Sequence, residues 1–216
     1  MDSSRLKLEF YDLVAIILPG LLAFCEGWIL LRGWTEFTIK INQISGNGLL
    51  LLLAAAFTLG HLTQELGRTA VRATKGERYL RDVRDSFWKS AKAQLVRDAI
   101  KKELGVPIPD VDAAFDYCLT RLRDHFPKRD IFAANSDLCR SFALLSALAV
   151  IPAGRIAFHD TSPLLQSLQL FALLSSFLFV AGALAWLRMV RFRELAEITV
   201  FHAYMALTAE PMGNGK

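Results

Sequence analysis

Four stretches of the chain carry apolar residues on every face, and charged segments separate them. The first runs from Leu13 to Leu31, through "YDLVAIILPGLLAF". The second runs from about Leu49 to Leu66, the third from about Ser141 to Phe158, and the fourth from Leu164 to Leu187. A helix that crosses a bilayer needs about 20 mainly apolar residues, with a range of about 17–25. The first and fourth stretches meet that length. The second and third are shorter and have polar ends, as expected of helices shielded by the other two. A soluble helix keeps one polar face, so this segregation predicts four transmembrane helices.

Between spans two and three the pattern becomes amphipathic. In "ERYLRDVRDSFWKSAKAQLVRDAIKKELG", apolar residues recur at helical spacing through Tyr79, Leu80, Val83, Phe87, Ala91, Leu95, Val96 and Ile100. Gly105 and Pro107 end that helix. Asp110 is the expected N-cap of the next, with Asp112 in its first turn. Phe115, Leu119, Leu122 and Phe126 form its apolar face. A third helix starts near Lys128 and continues into span three. No strand-like alternation appears. After span four, "RMVRFRELAEITVFHAYMAL" stays amphipathic and helical, expected to pack on this domain, on a neighbouring subunit or at the membrane surface. The predicted fold is therefore an all-α membrane protein with a cytoplasmic helical domain between spans two and three. Its parts are 1–66, a helix pair in the membrane; 67–139, the cytoplasmic domain; 140–187, a second membrane pair; and 188–216, a cytoplasmic tail helix.

Composition agrees. The 216 residues are 53% hydrophobic with mean hydropathy +0.33, against about 45–50% apolar in soluble domains. Cys25, Cys118 and Cys139 are odd in number and lack CxxC spacing, so no disulfide framework or zinc motif follows. Arg32-Gly33-Trp34 follows the first span where a signal peptide would have a small-residue cleavage site, so a retained helix is expected.

Charge sets the orientation. The connection between spans two and three is rich in Lys and Arg, whereas "HDTSP" between spans three and four has none. The positive-inside bias predicts both termini and the connection in the cytoplasm. Residues 67–102 hold eleven basic and four acidic groups; residues 103–139 hold four basic and seven acidic. Arg68, Arg72, Lys75, Arg78, Arg81 and Arg84 form a basic juxtamembrane face suited to anionic lipid. Nucleic acid is a secondary reading, because aromatics are sparse among these residues and no nucleic-acid fold is named by them.

Asp12, Pro19 and Glu26 are seven residues apart, which keeps them on one stripe of span one. Ionisable residues in spans mark protein interiors or water-filled paths, although both acids could also sit at the interfaces. Pro19-Gly20 should free a backbone carbonyl inside the membrane. His61, Gln64 and Glu65 on span two are candidate partners for the stripe, and Arg155 on span three could pair with Glu26. Ala56 with Gly60, and Ala172 with Ser176, are spaced for close helix packing.

No Walker loop, GxSxG, HExxH or paired-carboxylate motif occurs, and no cofactor or metal is implied. Arg121 and His125 are similar to the Arg/His pair of helical HEPN ribonucleases, but only three residues separate them where that family has four to six. "EFYDLVAIILPG", four spans and a helical insertion resemble small bacterial membrane proteins of anti-phage defence, such as Kiwa or the membrane accessories of RNA-targeting CRISPR systems. The resemblance implies an oligomeric sensor or effector of a bacterial inner membrane working with a cytoplasmic protein partner, and a non-enzymatic scaffold or pore-type effector is the favoured expectation. The alternatives are a small stand-alone channel or transporter, against which stands the lack of an internal repeat and of paired broken helices, and a membrane-bound enzyme acting on lipid or RNA.

Overall fold

The computed structural model describes residues 3–73, 76–122, 128–159 and 164–209. Among these residues there are nine helices and no strand: α1 Ser3–Arg32, α2 Trp34–Ile41, α3 Gly46–Ala73, α4 Gly76–Trp88, α5 Ala91–Leu104, α6 Val111–Leu122, α7 Lys128–Leu148, α8 Val150–His159 and α9 Leu164–Ala209. The chain divides into two compact units. A membrane unit holds Glu9–Ala70 and Ala134–Val190; a helical unit holds Met1–Leu8, Val71–Ala133 and Arg191–Lys216.

Four segments are long and apolar enough to cross a membrane: Leu13–Arg32, Gly46–Arg72, Arg129–His159 and Leu164–Thr208. Each contains the corresponding stretch expected from the sequence. Their surfaces carry large apolar side chains turned outward. Leu51, Phe177 and Phe179 are 74%, 69% and 77% exposed, a pattern that a water-soluble monomer does not sustain.

Two local features depart from the expected pattern in this unit. Gly33, at φ 92, separates α1 from the short helix α2, which periodicity over eight residues could not announce. Span three is interrupted at Ala149. Pro152 lacks the N–H that would bond the Leu148 carbonyl, so α7 ends at Leu148 and α8 begins at Val150.

The helical unit is built around Phe87, Val96, Ile100, Phe115, Cys118, Val200, Phe201 and Tyr204. Phe201 stacks on Phe87 with ring centroids 4.7 Å apart and meets Phe115 edge-on at 5.8 Å. Residues of the C-terminal stretch of α9 are thus core residues of this unit. The tail that the sequence sets apart as 188–216 belongs, from Arg191, with 71–133. Gly105, at φ 73, caps α5 as expected, and its N–H bonds the Lys101 carbonyl. Asp110 caps α6 through a 2.7 Å bond from the Ala113 N–H. The single helix expected before Gly105 is instead two. Ser90 is extended, and the Trp88 carbonyl accepts from the Arg97 guanidinium rather than from the backbone four residues on.

Candidate functional site in the membrane helices

In the membrane unit α1 and α3 cross with their backbones in direct contact. A Cβ on Gly20 would lie 1.6 Å from the Ala56 carbonyl oxygen, and one on Gly60 would lie 2.0 Å from that of Ile16. Only glycine permits these two backbones to touch. Ala56 and Gly60, the small pair read from the sequence, therefore pack within one chain.

Pro19 sits at this crossing and is fully buried. It cannot donate to the Ala15 carbonyl, yet α1 continues through it. The Gln64 side-chain amide of α3 donates to that carbonyl at 3.0 Å. An orphan carbonyl in hydrocarbon costs several kcal/mol, and the neighbouring helix satisfies it. Gln64 was one of three candidate partners for the stripe; the other two, His61 and Glu65, are exposed.

Positions 15, 19, 26 and 29 fall within about 80° around α1 at 3.6 residues per turn. Ala15, Pro19 and Ile29 are buried, and Glu26 among them is half-buried. Among the described residues Glu26 has no hydrogen-bond or ion-pair partner. The side chain of Asp12 lies outside the described residues. Arg155 does not pair with Glu26; its guanidinium donates to the Leu30 carbonyl near the C-terminal end of α1. The last carbonyls of a helix lack backbone donors, and a cation there also meets the negative end of the helix dipole.

A second polar cluster, not singled out by the sequence, joins α3 to α7. Asp137 lies 3.0 Å from Arg140 and 3.7 Å from Arg68. Arg140 is 9% exposed, and its stem fills the space beside Gly67, where a Cβ would meet it at 3.1 Å. The Ser136 hydroxyl donates to the Met189 carbonyl at 3.2 Å, tying α7 to α9. The only signal for this cluster was Gly67 itself, at the end of an apolar run.

The basic juxtamembrane face is smaller than the sequence suggests. Arg68 is shared between Glu65 and Asp137. Arg81 reaches Asp112 at 3.1 Å. Arg84 points into the helical unit, 2.8 Å from both Asp112 and Glu197, with its guanidinium 4.3 Å above the Phe115 ring. Glu197 is only 4% exposed, so Arg84 neutralises a buried acid and is a structural cation. Arg72 and Arg78 remain exposed, and Lys75 lies outside the described residues.

Arg121 is held on the helical unit's surface. The Tyr117 hydroxyl donates to Glu103 at 2.5 Å and Arg121 reaches the same carboxylate at 3.3 Å. The Tyr117 bond, then the Arg121 charge, hold the Glu103 carboxyl below its usual range, against the opposing effect of burial. Burial pushes the neighbouring Cys118 thiol up to about 12. His125 lies outside the described residues. Among the described residues no group of three His, Cys, Asp or Glu side chains could hold a metal.

Comparison with known proteins adds no relative. No family model matches the chain, and neither a curated protein nor a solved structure matches it.

Proposed function

We propose that the protein is an oligomeric bacterial inner-membrane subunit, a scaffold or pore-type effector, with its helical unit and both termini in the cytoplasm and a cytoplasmic protein as its partner. One observation carries the oligomer: in the most apolar 18-residue stretch of the fourth span, no residue is buried within the chain. Gln169, Ala172, Ser176 and Ala183 fall within about 60° around α9, and all four are exposed. Small residues let helices approach, and a membrane-facing amide gains about 1 kcal/mol by bonding across a helix interface. A second copy of this face supplies both.

The Lys/Arg bias of the connecting segments supports the orientation. The layout resemblance to membrane components of anti-phage defence supports a role there. Against a stand-alone transporter stand the backbone contact that closes α1 on α3 and, among the described residues of the four spans, a single helix break, at Ala149. The test is the mass of the solubilised particle together with ion flux through proteoliposomes. A multiple of the 24.1 kDa chain is expected. A particle of one chain contradicts the reading. Flux in the assembled particle separates the pore from the scaffold.

A further inference from the structure

Most arginines near the span ends are engaged by acids of the chain itself. Arg68 and Arg140 lie against Asp137, Arg191 reaches Glu194 at 3.4 Å, and Arg193 reaches Glu197 at 3.6 Å. Arg188 differs from these. It follows Leu187, where the apolar run of span four ends. It is exposed and makes no hydrogen bond or ion pair among the described residues. Arg188 also terminates an apolar stripe. Leu173, Phe177, Leu184 and Arg188 fall within about 60° around α9, and the three apolar side chains are 67%, 69% and 58% exposed. The stripe is turned about 100° from Gln169, Ala172, Ser176 and Ala183, so packing through that small-residue face leaves it open. From Phe177 to Arg188 is about 17 Å along the helix, close to half of a hydrocarbon core about 30 Å thick. Trp186 is 37% exposed at the level of Arg188, and aromatic belts mark the headgroup level.

The stripe presents apolar side chains over the depth of one leaflet and an unpaired cation at its headgroup level. We propose that Arg188 holds the phosphate of an anionic phospholipid whose acyl chains lie along Phe177 and Leu184. A guanidinium stays charged and meets phosphate through two parallel N–H···O bonds. A zwitterionic lipid also has a phosphate, but its own cation competes for it. An acidic segment of a cytoplasmic protein would answer the charge of Arg188 and leave the apolar stripe uncovered. The inference rests on α9 crossing a bilayer, not on the oligomer or its partner.

The experiment is native mass spectrometry of the full chain, released from nanodiscs of equal phosphatidylglycerol and phosphatidylcholine. Carbonate-resistant membrane association is established beforehand, so that failure of the spanning reading shows separately. Phosphatidylglycerol adducts should outnumber phosphatidylcholine adducts. Arg188→Gln should lower that ratio about fivefold, the attraction that one arginine supplies for anionic lipid. Arg188→Lys, which keeps the charge and loses the planar fork, should fall between. Arg191→Gln, one turn away and already held by Glu194, should leave the ratio nearly unchanged. Equal retention of the two lipids would overturn the proposal and leave Arg188 to an acid of another protein. An unchanged ratio in Arg188→Gln, or an equal fall in Arg191→Gln, would overturn it as well, the latter by showing only a general surface attraction.

Discussion

At the scale of single residues, charge and hydrogen-bond deficits are answered locally. Pro19 removes a donor and Gln64 supplies one. Gln64→Leu should therefore cost about 1 kcal/mol in unfolding from mixed micelles. In a Pro19→Ala background, where α1 regains its own donor, the same change should cost much less; equal costs in both backgrounds would break the link. Half-buried Arg84 pairs with buried Glu197, and Arg193 lies 3.6 Å from the same acid. Arg84→Met leaves that acid only the more distant Arg193 and should destabilise the helical unit by about 2 kcal/mol, short of a fully uncompensated buried charge, and adding Glu197→Leu should recover much of that. Glu103 carries a pH dependence. Its carboxyl is held low in the fold by Tyr117 and Arg121, so its contribution is present above the unfolded value of about 4.3 and is lost as pH falls through the lower folded value. Tyr117→Phe should flatten the thermal stability profile in that acid range and leave it little changed at neutral pH.

At the scale of elements, the spans were legible because a bilayer demands an unbroken apolar length. Gly105 and Asp110 marked helix ends by residue type alone. The break at Ser90 was not legible, since apolar spacing carries across it and the deciding interaction, Arg97 on the Trp88 carbonyl, comes from nine residues away. Of the proposed stripe, Pro19 was readable as a source of an orphan carbonyl. Its partner was one of three candidates because sequence gives no helix rotation. Arg81 and Arg84 looked like a lipid-facing pair with Arg78, yet their acids lie 28 to 113 residues further along the chain. The α1–α3 crossing makes its own prediction. Gly20→Ala should destabilise by about 3 kcal/mol, the upper end for overpacked sites. Gly27→Ala on the same helix meets nothing within 4 Å and should be neutral or stabilising by up to about 1 kcal/mol.

At the scale of the whole molecule, the proposal joins a four-span membrane protein to copies of itself and to a cytoplasmic partner. Reporters placed at 106 and after 209 should read cytoplasmic, and one inserted at 161 should read external; the opposite signs would reverse the orientation drawn from Lys and Arg. The central claim is that the exposed face of α9 is where chains meet. Single cysteines on that helix, in a background with Cys25, Cys118 and Cys139 replaced by alanine, test it most directly by oxidative cross-linking in native membranes. Cysteines at Ala172, Ser176 and Ala183 should give dimers, while those at Phe177 and Leu184, turned away from this face, should give few. Cross-linking with no preference among the five positions, or none at any of them, would contradict the account.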